Sequence, residues 1–286
     1  MTNITQLIRD VSLSKAVRQD IVEKDYAISF LLSAISSTPG FSQNLVLKGG
    51  TALRKLFFPG YRFSEDLDYS TLQLGQIDGC DNLMEETAHN LTQSLNERGP
   101  FEVKIEQLVL REPHPGNQKA YIVRIKFPAH RTPLCRLKVE ITVDEPIIRE
   151  TEILPVLHEF PDEFEGKILA YSISEITSEK LRALLQSKER LEGKGWGASR
   201  VCRDYYDLWN LLQVPGNINP ALIELINMKC EIRKVTYNSP KDFISENLID
   251  VAKNEWNQQL LPFVPSALPI EEILTQVKKM IVSIWD

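Results

Sequence analysis

The chain has 286 residues and a net charge of −6, with 43% hydrophobic and 25% charged residues. This composition indicates a folded globular protein rather than a disordered one, and the length allows one large domain or two smaller ones. The negative charge argues against a general nucleic-acid coat, which needs many phosphate contacts from Lys and Arg, although a local basic patch remains compatible with it.

The first predicted element is a helix over residues 16–37. Its apolar residues recur at helical spacing, and Thr38-Pro39-Gly40 ends it. The helix contains the charged segment Glu23-Lys24-Asp25-Tyr26. By itself, such a segment is typical of a solvated helix face.

Residues 45–70 form the most informative segment. They predict a short apolar strand, a turn at Gly49-Gly50-Thr51, an amphipathic helix, and a second strand with Asp66 and Asp68. Glycine lets the backbone approach a phosphate closely, and a helix start offers free N–H groups to an anion. Side chains alternate along a strand, so both carboxylates share a face. The segment predicts a site for a nucleoside triphosphate with Mg²⁺, which binds a few carboxylates and substrate phosphates.

A second helix is predicted over residues 81–98, followed by three strands at 101–110, 120–127 and 134–143. The loop at 114–117, His-Pro-Gly-Asn, indicates a hairpin between the first two strands. Three consecutive strands without helices between them predict a mixed sheet rather than a doubly wound parallel one.

The last of these strands carries a possible third carboxylate. Its residues alternate cleanly, which places Glu140 on the polar face of a strand expected to pair next to the Asp66–Asp68 strand. Glu140 would then help to hold a metal or accept a proton from an attacking hydroxyl. Asp144 competes for this role, and a solvent-facing strand residue is the simpler alternative.

The second half of the chain is predicted to be mainly helical. Residues 147–172 have no periodic pattern, so we place the domain boundary there, with domains at 1–150 and 151–286. The expected fold class is therefore α+β, with a mixed-sheet core followed by a C-terminal helical domain. Ser174 is expected to cap the first of five predicted helices: 174–191, 199–213, 218–230, 240–258 and 268–285.

Two segments of the helical half carry charges that could act on a nucleotide. Lys180 offers a compact ammonium that can bind phosphate oxygens, although a Glu179–Lys180 surface pair would also explain it. Asp204 and Asp207 are three residues apart on a predicted helix and share a face. An acid-rich first helical turn is the alternative explanation for these two.

A basic, Gly-rich loop lies between these two helices, at residues 192–199. Flexible backbone beside several Lys and Arg side chains could admit a polynucleotide end, with Trp196 stacking on a base. The loop could equally be a plain connector. The cationic candidates for binding an acceptor are Lys188, Arg190, Lys194 and Arg203.

The motifs resemble two nested families. A glycine pair followed by Asp-x-Asp resembles the signature of polymerase-β-like nucleotidyltransferases, although the spacer, Ala52 to Glu65, is slightly longer than usual. More narrowly, Lys48-Gly-Gly-Thr-Ala-Leu and Arg62-Phe-Ser-Glu-Asp-Leu-Asp look like the AbiEii toxin family of type IV toxin–antitoxin systems.

Three further segments resemble that family. They are Glu23-Lys24-Asp25-Tyr26, the stretch from Glu175 to Leu184, and Arg203-Asp-Tyr-Tyr-Asp-Leu. The resemblance covers about residues 20–215. It implies that the first of these segments supports the site structurally and that Lys180 contacts the triphosphate.

The resemblance also implies an activity. Residues 1–150 would form a nucleotidyltransferase-fold domain with an N-terminal helix, and the protein would transfer a nucleoside monophosphate from an NTP to RNA, including the tRNA 3′ end. A cognate antitoxin would neutralise this growth-inhibiting toxin. The cofactor would be Mg²⁺, and the partners would be the NTP, an RNA acceptor and the antitoxin.

The expected site residues fall into four groups. The catalytic candidates are Asp66, Asp68, Lys180 and Asp207. The nucleotide-binding candidates are Lys48, Gly49, Gly50, Thr51, Ser64 and Lys180. The metal candidates are Asp66, Asp68 and Glu140. The acceptor-binding candidates are Arg203, Lys188, Arg190 and Lys194.

Other interpretations remain open at this point. The acceptor could be a small molecule or a protein, or the chain could be an inactive member that only binds an NTP or an antitoxin. Four scattered cysteines without a metal-ligand spacing, and no apolar signal core or membrane span, predict a cytoplasmic protein with reduced thiols.

Overall fold

The structure is a computed structural model that describes residues 3–75, 79–109 and 117–286. The chain divides into two compact units, residues 1–171 and 172–286, which we call the sheet unit and the helical unit. The predicted boundary at residue 150 lies before the observed division at residue 171. The stretch between them was expected to be irregular, but it contributes two more strands to the sheet. Most of the predicted hairpin loop at 114–117 lies outside the described residues.

The sheet unit is built on a mixed sheet. Seven strands are present among the described residues, in the order β3-β4-β5-β2-β1-β7-β6. The pairs β1–β7 and β2–β5 are parallel, and the other neighbours are antiparallel. The strands are β1 (Leu45–Lys48), β2 (Asp66–Thr71), β3 (Glu102–Gln107), β4 (Gln118–Lys126), β5 (Cys135–Thr142), β6 (Glu152–Pro155) and β7 (Lys167–Ala170). The predicted mixed sheet and α+β class are confirmed.

The described helices of the sheet unit differ from prediction mainly at the start. They are α1 (Ile4–Lys15), α2 (Gln19–Ser37), α3 (Gly49–Ala52, continued by a π turn at Leu53–Phe57) and α4 (Cys80–Asn96). The predicted helix over 16–37 begins three residues later, because Ala16 adopts a left-handed conformation that ends α1. Helix α1 itself was not predicted.

One face of the sheet forms the core of this unit. Leu67 and Tyr69 of β2 share that face with Val139 of β5, and all three are buried. Tyr69 and Leu32 of α2 line the same pocket, and α2 packs against strands of the sheet, so α2 covers this face. The opposite face, which we call the front face, carries Asp66 and Asp68.

The helical unit follows the predicted order with two corrections. Its α-helices are α5 (Ile173–Lys194), α6 (Val201–Leu211), α7 (Pro220–Ile232), α8 (Glu246–Glu255) and α9 (Ile270–Ser283). Ser172, not Ser174, caps α5 by accepting a hydrogen bond from the N–H of Glu175. The predicted helix over 240–258 is broken into a 3-10 turn, α8 and a π turn. Within the described ranges, no helix has the length and apolar character needed to cross a membrane.

Candidate active site

The Gly-Gly turn brings the end of β1 against an aspartate of β2. Gly49 has a φ of +73°, a left-handed conformation that L side chains rarely adopt. A Cβ atom at this position would lie 2.9 Å from Oδ2 of Asp68. Only glycine therefore allows the backbone to pass so close to this carboxylate.

The following residues tie the turn to the start of β2. A Cβ atom on Gly50 would lie 2.5 Å from Nη2 of the buried Arg62, so this glycine also leaves room for a side chain. The hydroxyl of Thr51 donates to the backbone carbonyl of Asp66 and lies 2.9 Å from Oγ of Ser64. These contacts fix the turn and the Asp66 backbone to each other.

The carboxylates lie on the front face, as predicted. Asp68 is paired in register with Lys48 of β1 on one side and with Glu140 of β5 on the other. Asp66, two residues before Asp68, lies on the same face. The expected position of Glu140 next to the aspartates is confirmed, whereas Asp144 is exposed beyond the end of β5.

The residues present fit a divalent cation held by two aspartates and substrate phosphates. Asp66 and Asp68 share a face at a Cα spacing of about 7 Å, and carboxylates with phosphate oxygens are the ligands that Mg²⁺ prefers. Glu140 lies 2.7 Å from Nζ of Lys138, so its carboxylate is ion-paired. The described part of the chain has no group of three or more His, Cys, Asp or Glu side chains arranged to hold a metal ion.

The charged segment of α2 binds residues on both sides of the connection between the Gly-Gly turn and β2. Asp25 is buried and binds Nε of Arg54 at 2.8 Å and Nζ of Lys55 at 2.9 Å, both in the π turn that follows Gly49–Ala52. Burial by itself would raise the pKa of Asp25, but the charges of Lys55 and Arg54 lower it to about 2. Lys24 binds Glu65, the residue before Asp66, at 2.5 Å. The segment is therefore not the solvated face that its composition alone suggests.

A second constellation lies in the helical unit. Nζ of Lys180 on α5 is 2.7 Å from Oδ1 of Asp204 and 2.9 Å from Oδ2 of Asp207, both on α6. The shared face predicted for the two aspartates is confirmed by these contacts. Asp207 is fully buried, while the side chains of Lys180 and Asp204 are partly accessible. The two carboxylates thus hold the ammonium group in one place.

The four predicted acceptor-binding cations have different surroundings. Arg203 is buried, donates from Nε to the backbone oxygen of Gln259 at 2.7 Å, and stacks 4.2 Å from the ring of Phe263. It therefore belongs to the packing of the helical unit. Lys188 binds Asp242 at 2.8 Å, and this hydrogen bond raises the pKa of the lysine.

The other two cations are on the surface. Arg190 and Lys194 line an open pocket of about 390 Å³ together with Arg233. Nζ of Lys194 lies 5.8 Å from the ring of Trp196, which is 70% exposed. Of the four predicted cations, these two and Lys188 keep accessible side chains.

Sequence reasoning missed a buried ion cluster next to Lys180. Lys229 of α7 is fully buried and lies 2.6 Å from Glu175 and 3.2 Å from Glu179, both on α5. A local signal exists, because Lys229 follows Leu225 and Ile226 at helical spacing on the buried side of α7. The partners are about fifty residues earlier in the chain, so the pattern could not name them.

Solved structures with the same overall fold include two nucleotidyltransferase-type proteins. MenT4, a nucleotidyltransferase toxin from Mycobacterium tuberculosis H37Rv, aligns with a TM-score of 0.65 and 18% identity over 98% of this chain and 89% of its own. A putative nucleotidyltransferase from H. pylori aligns with a TM-score of 0.54 and 20% identity over 94% of this chain and 96% of its own. At these identities the comparison establishes the fold.

The sequence itself matches a family model. Residues 31–276 match the family described as nucleotidyl transferase AbiEii toxin of type IV toxin–antitoxin systems, whereas no curated protein matches the chain significantly. The match includes the Gly-Gly turn, both strand aspartates, and the segments around Lys180 and Asp207. The chain therefore belongs to the AbiEii family of nucleotidyltransferase toxins.

Proposed function

We propose that this toxin transfers a nucleoside monophosphate from an NTP to an RNA acceptor, the 3′ end of tRNA, in a Mg²⁺-dependent reaction in the cytoplasm. The reaction would inhibit growth, and a cognate antitoxin would neutralise it. The observation that carries the proposal is the close approach of the Gly49 backbone to Asp68, in a glycine turn beside two carboxylates that share one sheet face.

The proposed reaction is a substitution at the α-phosphorus. An acceptor hydroxyl oxygen forms the new bond, the bond between the α- and β-phosphates breaks, and pyrophosphate leaves with those electrons. The hydroxyl proton would pass to solvent water, and a Mg²⁺ ion held at this site would supply charge neutralisation for the triphosphate and a lower pKa for the hydroxyl. Asp66 and Asp68 would hold the cation, and the Gly49–Thr51 turn would bind phosphate oxygens. Catalysis then requires mainly positioning and charge stabilisation.

Two further groups are proposed to act on the nucleotide. Lys180 would bind the triphosphate as a point charge, and Asp204 and Asp207 would keep its ammonium group oriented. Lys48 would contribute from the strand position next to Asp68. Ser64 would act through its contact with Thr51, which supports the turn.

The first experiment asks whether RNA is labelled. Purified protein is incubated with total tRNA, Mg²⁺ and each labelled NTP in turn, beside the variants Asp66→Ala and Lys180→Met. We expect label in RNA with the intact protein and none with Asp66→Ala. Lys180→Met should raise the KM for the NTP on the order of tenfold to a hundredfold, because a hydrogen bond to a charged group contributes about that factor to binding. Chelation with EDTA should stop the reaction, and added Mg²⁺ should restore it.

The alternatives give different results. Label in protein or in a small molecule, with none in RNA, would reject the RNA acceptor and retain the nucleotidyltransferase chemistry. NTP binding without any transfer would favour an inactive, NTP-binding protein. Full activity of Asp66→Ala would remove Asp66 from the site.

Replacing Gly49 by Ala should impair both stability and transfer. The left-handed backbone costs an L residue about 1–2 kcal/mol, and the new Cβ would displace the Asp68 carboxylate. Gly60→Ala is the matched control, because Gly60 has a φ of +69° but a Cβ atom there would have no other atom within 4 Å. Urea unfolding should show a loss of stability for both variants that is larger for Gly49→Ala, and a transfer assay should show loss of activity only for Gly49→Ala. Equal activity of the two variants would contradict the proposed role of this close approach.

A further inference from the structure

The front face of strands β3, β4 and β5 carries a group of cations that the proposed reaction does not use. We call this group the basic sheet face: Lys104 of β3, Arg124 and Lys126 of β4, and Arg136 and Lys138 of β5. Cross-strand register places all of them on the same side of the sheet as Asp66 and Asp68. The basic sheet face lies entirely within the sheet unit.

Three of these cations form a row across the strands. Lys104 is directly opposite Arg124, and Arg124 is directly opposite Arg136. Like charges at opposed positions destabilise a sheet, so strand pairing alone does not favour this arrangement. Lys104 and Arg136 are exposed, and neither has an ion-pair partner within 4.0 Å in the part of the chain that the structure describes.

The charge of this surface differs in sign from that of the whole protein. Strands β3–β5 carry three carboxylates on the front face, Glu102, Glu106 and Glu140, against five cations. Each carboxylate binds one cation: Lys126 at 2.6 Å, Arg124 at 3.2 Å and Lys138 at 2.7 Å, respectively. The remaining excess is positive, although the chain has a net charge of −6. A polyanion would therefore be attracted to this surface, although the protein as a whole is negatively charged.

The basic sheet face leads to the candidate catalytic carboxylates. Lys138 is opposite Asp66 in the β2–β5 register, and Arg136 precedes Lys138 by two residues on the same face. Three inter-strand spacings of about 4.8 Å separate β2 from β3, so the row spans about 14 Å from the aspartate strand to Lys104. Cations at regular strand spacing suit a chain of phosphates better than a single small anion.

We propose that the basic sheet face binds the phosphate backbone of the RNA acceptor and directs its end toward Asp66 and Asp68. The proposal rests on the proposed function and adds the surface that would recognise this substrate. Two of the three row residues are arginines, whose planar guanidinium groups match phosphate oxygens in a bidentate manner. The row therefore contributes to binding and orienting the RNA, which precedes the transfer step.

A charge-matched pair of triple variants tests this surface. The row variant is Lys104→Gln/Arg124→Gln/Arg136→Gln, and the control is Arg9→Gln/Lys15→Gln/Lys279→Gln, which removes three exposed cations from α1 and α9. Binding of a labelled tRNA pool is measured without NTP at several salt concentrations. We expect at least tenfold weaker binding for the row variant, with the slope of log affinity against log salt reduced by about two. The control should bind RNA as the unchanged protein does.

Two further measurements separate binding from folding and from chemistry. The thermal midpoint of the row variant should not fall, because the substitutions remove opposed like charges. Binding of an NTP should also stay the same. Since RNA binding is measured without NTP, intact binding with no transfer by the unchanged protein would reject the proposed reaction and not this surface.

Several results would overturn the proposal. One is equal loss of RNA binding in the row variant and the control. Another is unchanged binding in the row variant while Arg190→Gln/Lys194→Gln abolishes the salt dependence, which would place the RNA on the helical unit. Loss of affinity for the purified antitoxin, with RNA binding retained, would assign the face to a protein partner. Absence of any RNA binding by the unchanged protein would also reject it.

Discussion

Asp68→Asn is expected to reduce nucleotidyl transfer by a factor on the order of a hundred to a thousand, without changing the fold. Asparagine preserves the size of the side chain but removes the negative charge that would hold Mg²⁺ against the triphosphate. Asp68 is paired with Lys48 and Glu140 on both sides, so the backbone at this position is fixed by the neighbouring strands. The measurement is the initial rate of label transfer at saturating NTP, with circular dichroism to compare the folds.

Asp144→Asn is the matched control for this variant. Asp144 is exposed beyond the end of β5, and the same chemical change there should leave the rate within about twofold, since surface changes away from a site have small effects. Glu140→Gln tests the third carboxylate in the same assay. If Asp68→Asn kept more than a tenth of the original rate, the assignment of Asp68 to the catalytic centre would be wrong.

Asp25→Ala is expected to lower the free energy of unfolding by about 3–5 kcal/mol. The change leaves the charges of Arg54 and Lys55 buried without their shared carboxylate, and the side chains of these two residues are only 3% and 1% exposed. Urea unfolding at neutral pH measures the loss. Because the same cluster holds the π turn after Gly49, we also expect transfer activity to fall at temperatures where the variant remains folded.

Asp20→Ala, on the same helix, is the control for this second prediction. Asp20 forms an ion pair with Arg18 in which the side chains are 48% and 75% exposed, so its loss should cost no more than about 1 kcal/mol. Equal losses of stability for the two variants would show that the buried cluster contributes no more than a surface pair.

The pH dependence gives an independent check on Asp25. Its folded-state pKa of about 2 lies below its ordinary value of 3.8, so the carboxylate stabilises the fold above the ordinary value. This contribution, about 2 kcal/mol, is lost as the pH falls from about 4 through 2. Asp25→Ala should therefore reduce the slope of stability against pH in that acidic range.

Elements with one buried face were predictable from the sequence. The strand predicted at 134–143 is β5 to within one residue at each end, because alternating burial enforces a period of two. The same period places Asp66 and Asp68 on one face of their strand and Glu140 on the polar face of its own strand. The sheet topology then brings Glu140 beside Asp68, as expected from the sequence.

Features that depend on distant partners were not predictable. Strands β6 and β7 have four residues each, too few for a periodic signal, and they form because they complete the sheet edge. Arg203 has the sequence context of a surface cation, but residues more than fifty positions later bury it. Asp25 likewise finds its partner Arg54 across 29 residues, so no local pattern distinguishes it from a solvated aspartate.

The connection between the Gly-Gly turn and β2 has a consequence for how this protein can change in length. Strand β2 begins at Asp66, and the stretch from residue 58 to 65 before it is neither helix nor strand. Extra residues inserted at the exposed turn of Pro59 and Gly60 would lengthen a loop at little entropic cost and leave Asp66 and Asp68 on their face. One residue inserted within β2 would turn Asp68 to the opposite face of the sheet. Length added before Asp66 is therefore tolerated, whereas a single residue added within the strand is not.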